Sequence, residues 1–202
     1  MENQAILWAV EQKVDIITMS FSLTDRHAKV REAIREVPAS CVLFAAASNW
    51  GGNRGRTYPA TDRRVICINA SDGNGNNSSG LNPPHEKYHD AWTTLGAEIG
   101  FASDSDDQPV YLSGTSYATP IAVAIAVNSI DYVENLYKRG KLSKDRRDFL
   151  VSDDGVPHMF RLMSQRMDGW DYVAPWNLWK AQHGALDMGD EEDYVYQQLA
   201  RD

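Results

Sequence analysis

Cys41-Val42-Leu43-Phe44-Ala45-Ala46-Ala47 is an unbroken apolar run of strand length, closed by the polar pair Ser48-Asn49. A run with no polar alternation reads as a strand buried on both faces, the mark of a parallel sheet covered by helices. Val14–Ser20 before it and Val65–Ala70 after it read the same way. A helix is predicted over Asp25–Val37, where Val30, Ala33, Ile34 and Val37 follow the i, i+3, i+4, i+7 pattern. Thr24 or Asp25 caps it, and Pro38 ends it. Residues 3–13 form another helix, with Ile6, Ala9, Val10 and Lys13 on one face. Strands alternating with helices give an α/β fold with a largely parallel sheet.

Further along, residues 71–91 are rich in Gly, Asn, Ser and Pro and read as a long surface loop. Strand-like pieces follow near Thr93–Ile99 and Val110–Leu112. Ser116–Tyr137 is the longest predicted helix, built on Ile121, Ala122, Ala124, Ile125, Ala126, Ile130 and Val133. Its apolar character on several sides suggests burial in the domain centre. Residues 142–202 are less regular and are anchored by Phe149-Leu150, Phe160–Met163 and Tyr172–Trp176.

The 202 residues suffice for one domain with a real core. A net charge of -8 argues against nucleic acid as a main partner. The basic segment Lys138–Asp148 and the acidic segment Asp187–Asp193 read as solvated surface. No apolar run is long enough to span a bilayer. Met1-Glu2-Asn3-Gln4 lacks the features of a secretory signal, which leans toward an intracellular location. Cys41 and Cys67 fall in buried strands and read as free thiols.

Chemistry points to two places. In Gly114-Thr115-Ser116-Tyr117-Ala118-Thr119-Pro120 a serine sits among small residues at a helix start. The unpaired N–H groups and dipole there favour a developing negative charge. The plainer reading, a helix cap at Thr115 or Ser116, stands equally well on this heptapeptide alone. Asn49 lies just past a strand C-terminus, where ligands of parallel sheets gather. Its amide is suited to donate to an oxyanion; its plainer reading is a turn asparagine before Gly51-Gly52.

Taken together, these segments resemble the subtilisin family of serine proteases. Gly114–Pro120 resembles the family's nucleophile signature, and Phe44–Gly51 its oxyanion segment. Val14–Ser20 resembles the strand that lines its cleft. Tyr58-Pro59-Ala60, Val65–Ala70 and Leu95–Ile99 match further segments in the right order. The resemblance covers residues 3–138. It implies a three-layer fold with a mainly parallel sheet, incomplete at the N-terminal side, with 1–140 as peptidase domain. Residues 141–202 are then a C-terminal extension that packs on the domain or leads to a linker. Segments 160–164 and 168–173 resemble, more weakly, those that follow subtilisin-like domains in some fungal multidomain proteins. That suits a module of a larger protein.

The resemblance further implies peptide-bond hydrolysis through an acyl-enzyme. Ser116 is the implied nucleophile and Asn49 the side-chain oxyanion donor. Ser20 and Phe21 would line the cleft, with Ser22, Ala47 and Ser48 at the pocket for the residue before the scissile bond. Ser22-Leu23 and Ser48 stand where the family commonly has glycines, so their side chains would either narrow that pocket or alter the approach of the substrate backbone, and the resemblance names no preferred residue for cleavage. The implied partner is a polypeptide, with no cofactor.

A serine needs a base. The family's Asp and His lie before the segment at which this chain starts. His27 falls in the second predicted helix, His85 and His89 in the polar loop, His158 and His183 beyond the nucleophile helix. None has the family's Gly-Thr neighbourhood, and each reads as a surface residue. Asp15 matches a structural position. The chain alone is therefore expected to hold no complete triad, to be inactive in isolation, and to associate through uncovered sheet edge. Two explanations stay open: a piece of an active protease, or a non-catalytic peptide-binding or interaction module that retains the fold.

Metal readings fail. Asp72–Asn76 opens like a calcium loop, but Asn77 replaces the needed Gly and Pro83 the bidentate Glu. No zinc spacing occurs. Of two glycosylation sequons, Asn69-Ala70-Ser71 and Asn77-Ser78-Ser79, the first sits at a buried strand end.

Overall fold

The computed structural model describes residues 1–23, 27–78, 80–85, 90–102, 108–180, 195 and 197–200. In chain order the elements begin with α1 (Glu2–Glu11), β1 (Ile16–Met19), α2 (Ala28–Glu36), β2 (Val42–Ala46) and β3 (Val65–Ser71). There follow β4 (Trp92–Leu95), β5 (Ile99–Phe101), β6 (Val110–Leu112) and α3 (Thr115–Lys138). The last are α4 (Lys144–Leu150), α5 (Gly155–Met163), β7 (Ser164–Met167), β8 (Trp170–Val173) and α6 (Trp176–Lys180).

Six strands form one sheet in the order β1-β2-β3-β4-β8-β7. β1 to β4 and β8 run parallel; β7 pairs antiparallel with β8. β5 and β6 make a separate antiparallel hairpin that feeds α3. The alternation of side chains across the pleat divides the core. Val42, Phe44, Ile66, Ile68 and Ala70 face one layer, with α3, α4 and α5. Leu43, Ala45, Val65 and Cys67 face the other, with α1 and α2. The result is a three-layer α/β fold with a mainly parallel sheet. Among the described residues no helix is long and apolar enough to cross a membrane.

Several expectations change. α2 starts at Ala28, with His27 in the cap position and no side-chain cap bond. Thr24 and Asp25 lie outside the described residues. Lys13 falls past the end of α1 at a positive φ of 56° and is exposed. The strand-like piece near Thr93–Ile99 divides into β4 and β5 around a turn in which Glu98 has φ 55°.

α3 is enclosed over part of its surface, by β1 to β4 and by α4 and α5. Ala118, Ala122, Ala126, Val133 and Leu136 bury one face against the sheet, while Val127 stays 49% exposed. Three alanines on the buried face let the helix approach the strands closely; the opposite face lacks a covering layer among the described residues.

The tail is more regular than it reads. β8 extends the sheet beside β4, and Leu150, Val156, Met159 and Phe160 join the α3-side core. The turn between β7 and β8 is Asp168-Gly169, both at positive φ (48° and 81°). Asp-Gly between strands is a strong hairpin signal.

The basic segment is paired locally: Arg147 with Glu134 and Asp148, and Lys144 with Asp148. Residues 187–193 lie outside the described residues. Cys41 and Cys67 are buried and form no disulfide. Burial, helped by nearby Asp15, pushes the Cys41 thiol up to about 11, so it stays protonated at neutral pH.

Candidate active site

The carboxyl ends of β1 and β2 deliver Ser20-Phe21-Ser22 and Ala47-Ser48-Asn49 to the same edge of the sheet, because the two strands are parallel neighbours in register. The start of α3 meets them there. Thr115 N–H donates to Asn49 Oδ1 at 2.8 Å. The Thr115 hydroxyl lies 3.0 Å from the same oxygen and 3.3 Å from the Ser48 carbonyl. A backbone N–H only donates, so this contact fixes which end of the carboxamide is oxygen. Asn49 Nδ2 is left facing away from Thr115 as the donor end.

Gly114 makes the approach feasible. A Cβ there would lie 3.1 Å from Asn49 Nδ2 and 3.5 Å from Oδ1. Its N–H donates to Gly96 O at 2.8 Å, which ties the turn before α3 to the end of β4. Ser116 is the second residue of α3, half-buried, at the positive end of a 24-residue helix. Pro120, inside α3, has no N–H to offer the Ser116 carbonyl four residues back. Tyr117 packs its ring on Phe101 of β5, centroids 5.4 Å apart.

The residues that follow β1 meet the loop after Asn49. Ser20 and Ser22 are exposed, and Phe21 is half-buried against the α1/α2 core. Ser22 Oγ is 2.8 Å from Thr57 Oγ1, and Thr57 N–H and Oγ1–H reach the Ala47 carbonyl at 3.0 and 3.2 Å. Ser48 has a φ of 152°, in a region favoured by glycine. The residue is 3% exposed, and its hydroxyl has no partner among the described residues. The sequence marks Ser48 as a glycine replaced; the backbone shows why glycine suits that place.

Thr115 and Thr57 were missed by sequence reasoning as functional positions. Thr115 had a signal, a hydroxyl beside Ser116, but only its partner 66 residues away gives it a purpose. Thr57 had none.

No described histidine joins this group. His27 precedes α2 and is exposed. His85 sits edge-on to Trp170, and His158 packs on Phe149. His158 is half-buried in α5, not a surface residue: burial, then Arg146 and Arg161, hold its pKa below the usual imidazole value. His89 and His183 lie outside the described residues. Asp15 precedes β1 at the far end from Met19, roughly 13 Å along the strand. Its carbonyl accepts from Val42 N–H in a structural role.

Among the described residues no group of three His, Cys, Asp or Glu is placed to hold a metal. Asp72 instead accepts from Asn74 N, Asn76 N and Asn76 Nδ2 at 2.8–2.9 Å. Those bonds, the Asn76 side chain first, pull its pKa down. Asn69 is buried and donates to Trp92 O, so the first sequon is inaccessible in the fold. Ser79 of the second lies outside the described residues.

Residues 1–144 match the subtilase family. This chain belongs to that family. An intracellular serine protease of Paenibacillus polymyxa is 33% identical over 138 residues, 61% of this chain and 39% of its own length. The subtilisin-like protease het-Q2 of Podospora anserina is 26% identical over 159 residues, 75% of this chain and 43% of its own length. The chain thus spans about two fifths of the length of these relatives. The structure of the prenylagaramide maturation protease PagA superposes with a TM-score of 0.63 at 21% identity, covering 96% of this chain and 66% of that one. The fold is that of a subtilase-family serine protease domain.

Proposed function

We propose that Ser116 is the nucleophile of peptide-bond hydrolysis and that Asn49 Nδ2 donates to the oxyanion. The observation that carries this is the double hold of Thr115, the residue before Ser116, on Asn49 Oδ1, which leaves Nδ2 as the donor end of an amide held at the start of α3. Ser116 Oγ attacks the carbonyl carbon and loses its proton to a base. The C–N bond breaks as the amine takes a proton, and water then releases the acyl group. The α3 N-terminus supports the same oxyanion. The substrate is a polypeptide bound in extended form along Ser20-Phe21-Ser22. Residues 141–202 act as an extension packed on the peptidase portion, a reading supported by β8 pairing with β4.

The base comes from polypeptide outside these 202 residues. No described histidine contacts Ser116, and neither His89 nor His183 has the sequence neighbourhood of a subtilase base. The chain alone is then slow, keeping only what binding and the oxyanion site supply. The same observation favours a second reading, a peptide-binding module without catalysis.

A fluorophosphonate probe separates the two. The isolated chain should not label. Labelling at Ser116 should appear when the chain is joined to the remaining portion of a subtilase catalytic domain, and vanish in Ser116→Ala. Persistent silence in the joined protein favours the binding module. Labelling of the isolated chain at Ser116 would show that the base lies within it.

A further inference from the structure

We propose that the hydroxyl bridge between Ser22 and Thr57 closes the acyl-side pocket, so that the site accepts peptides with Gly, Ala or Ser before the scissile bond. The inference rests on the Ser116 and Asn49 reading above and names the substrate class of that site.

The side chain of the residue under attack is attached one bond from the reacting carbonyl carbon. It therefore meets the wall within a few ångströms of Asn49 and Ser116. On the Asn49 side that wall is Ala47-Ser48, and Thr57 lies directly against it. The hydrogen-bond order follows from the inventory of donors. Thr57 Oγ1 has one hydrogen, and the Ala47 carbonyl at 3.2 Å only accepts. Thr57 therefore donates to Ala47, and Ser22 donates to Thr57 across 2.8 Å. The chain Ser22 to Thr57 to Ala47 O spans the gap between the end of the cleft strand and the loop after Asn49.

The bridge is held from behind. Leu23 N–H donates to Tyr58 O at 2.8 Å, and Tyr58 N–H to Leu23 O at 3.3 Å. Tyr58 is buried, and Thr57 N–H is bonded to Ala47 O at 3.0 Å. The two walls cannot part without breaking this set. Ser22 itself is exposed, so the bridge is a surface that an incoming side chain meets directly. A methyl or hydroxymethyl group demands little room in front of it. A benzyl group has to displace Thr57 and lose several paired polar groups.

The test is equilibrium binding of the full chain to fluorescent trialanyl peptides extended by a C-terminal Ala or Phe, read by polarisation. The free carboxylate takes the place of the oxyanion at Asn49. The Ala peptide should bind at least about tenfold tighter than the Phe peptide, the scale on which pocket size discriminates. Ser22→Gly, and further Ser22→Gly with Thr57→Gly, should bring the Phe:Ala ratio toward one. Because Ser22 is exposed, its single variant carries the test if the double variant does not fold. A wild-type ratio near one, with both peptides lost in Asn49→Ala, overturns the closed pocket and leaves the site reading intact. Affinity that does not depend on Asn49 overturns both.

Discussion

Replacing Ser48 with glycine is expected to stabilise the fold, because two unfavourable features meet in that one residue. Its φ of 152° lies where a Cβ is poorly tolerated, and such strain costs about 1–3 kcal/mol. Its hydroxyl is buried without a partner among the described residues, which costs about 1–3 kcal/mol more. Against these, glycine loses about 0.5–1 kcal/mol more backbone entropy on folding. Taking the low end of each gain, Ser48→Gly should add about 1–1.5 kcal/mol. In a chain of this size that raises Tm by roughly 2–6 °C. Ser48→Ala divides the sum. It removes the hydroxyl but keeps the Cβ at the same φ, so it should gain only the polar part, about 1 kcal/mol. The assay is thermal and urea unfolding of the three proteins side by side. Glycine no more stable than alanine would refute the strain argument. Both variants at or below the parent would refute the reasoning at this position entirely.

Arg64 bonds the carbonyls of Ile34 and Val37 at 3.1 and 2.7 Å and Asp153 at 3.0 Å, tying α2 to the turn before α5. Arg64→Ala should cost about 2–3 kcal/mol in urea unfolding, since charge-assisted bonds to half-buried groups are lost; a change under about 0.5 kcal/mol would contradict this. His158 titrates lower in the fold than in the unfolded chain, because of burial and then Arg146 and Arg161. The unfolded state therefore takes up the proton first as pH falls, so this contribution is full above about pH 6.5 and lost progressively below it. His158→Asn should flatten the acid side of a Tm-versus-pH curve, and unchanged slopes would exclude His158 as the cause. Finally, among the described residues β1 is an edge strand, beside an open groove of about 510 Å³ lined by Val14, Ile16, Val127 and Ile130 with Asp15, Asp131 and Glu134 at its sides. The isolated chain should self-associate with rising concentration in sedimentation, and Val127→Lys should reduce it; a monomer at every concentration would refute the expectation.

What the sequence could and could not convey follows from the range of its signals. β2 and β3 were legible because burial on both faces leaves an unbroken apolar run, and α2 because one buried face repeats at 3.6 residues. The enclosure of α3 was overestimated for the same reason. Alanine counts as apolar in a periodic pattern whether it packs on a strand, as Ala122 does, or faces outward, as Ala124 does. The tail was under-read because its elements are short, four residues in each of β7 and β8, although Asp168-Gly169 carried a turn signal.

The site divides along the same line. Asn49 and Ser116 each stand out at an element boundary, one at a strand end and one at a helix start, and it is the resemblance to the subtilisin family that pairs them. Boundaries leave local marks. Thr115 and Thr57 do their work through partners 66 and 35 residues away, across turns whose course no periodicity records. In the proposed site those two threonines would orient the pair. Thr115 holds the Asn49 oxygen and so sets which end of the amide is the donor. Without Thr57, Ser22 is a lone exposed hydroxyl, and the acyl-side wall has no floor. The residues that name a reaction sit at element ends and are local. The residues that orient it and set its reach are long-range contacts, and only the folded chain brings them together.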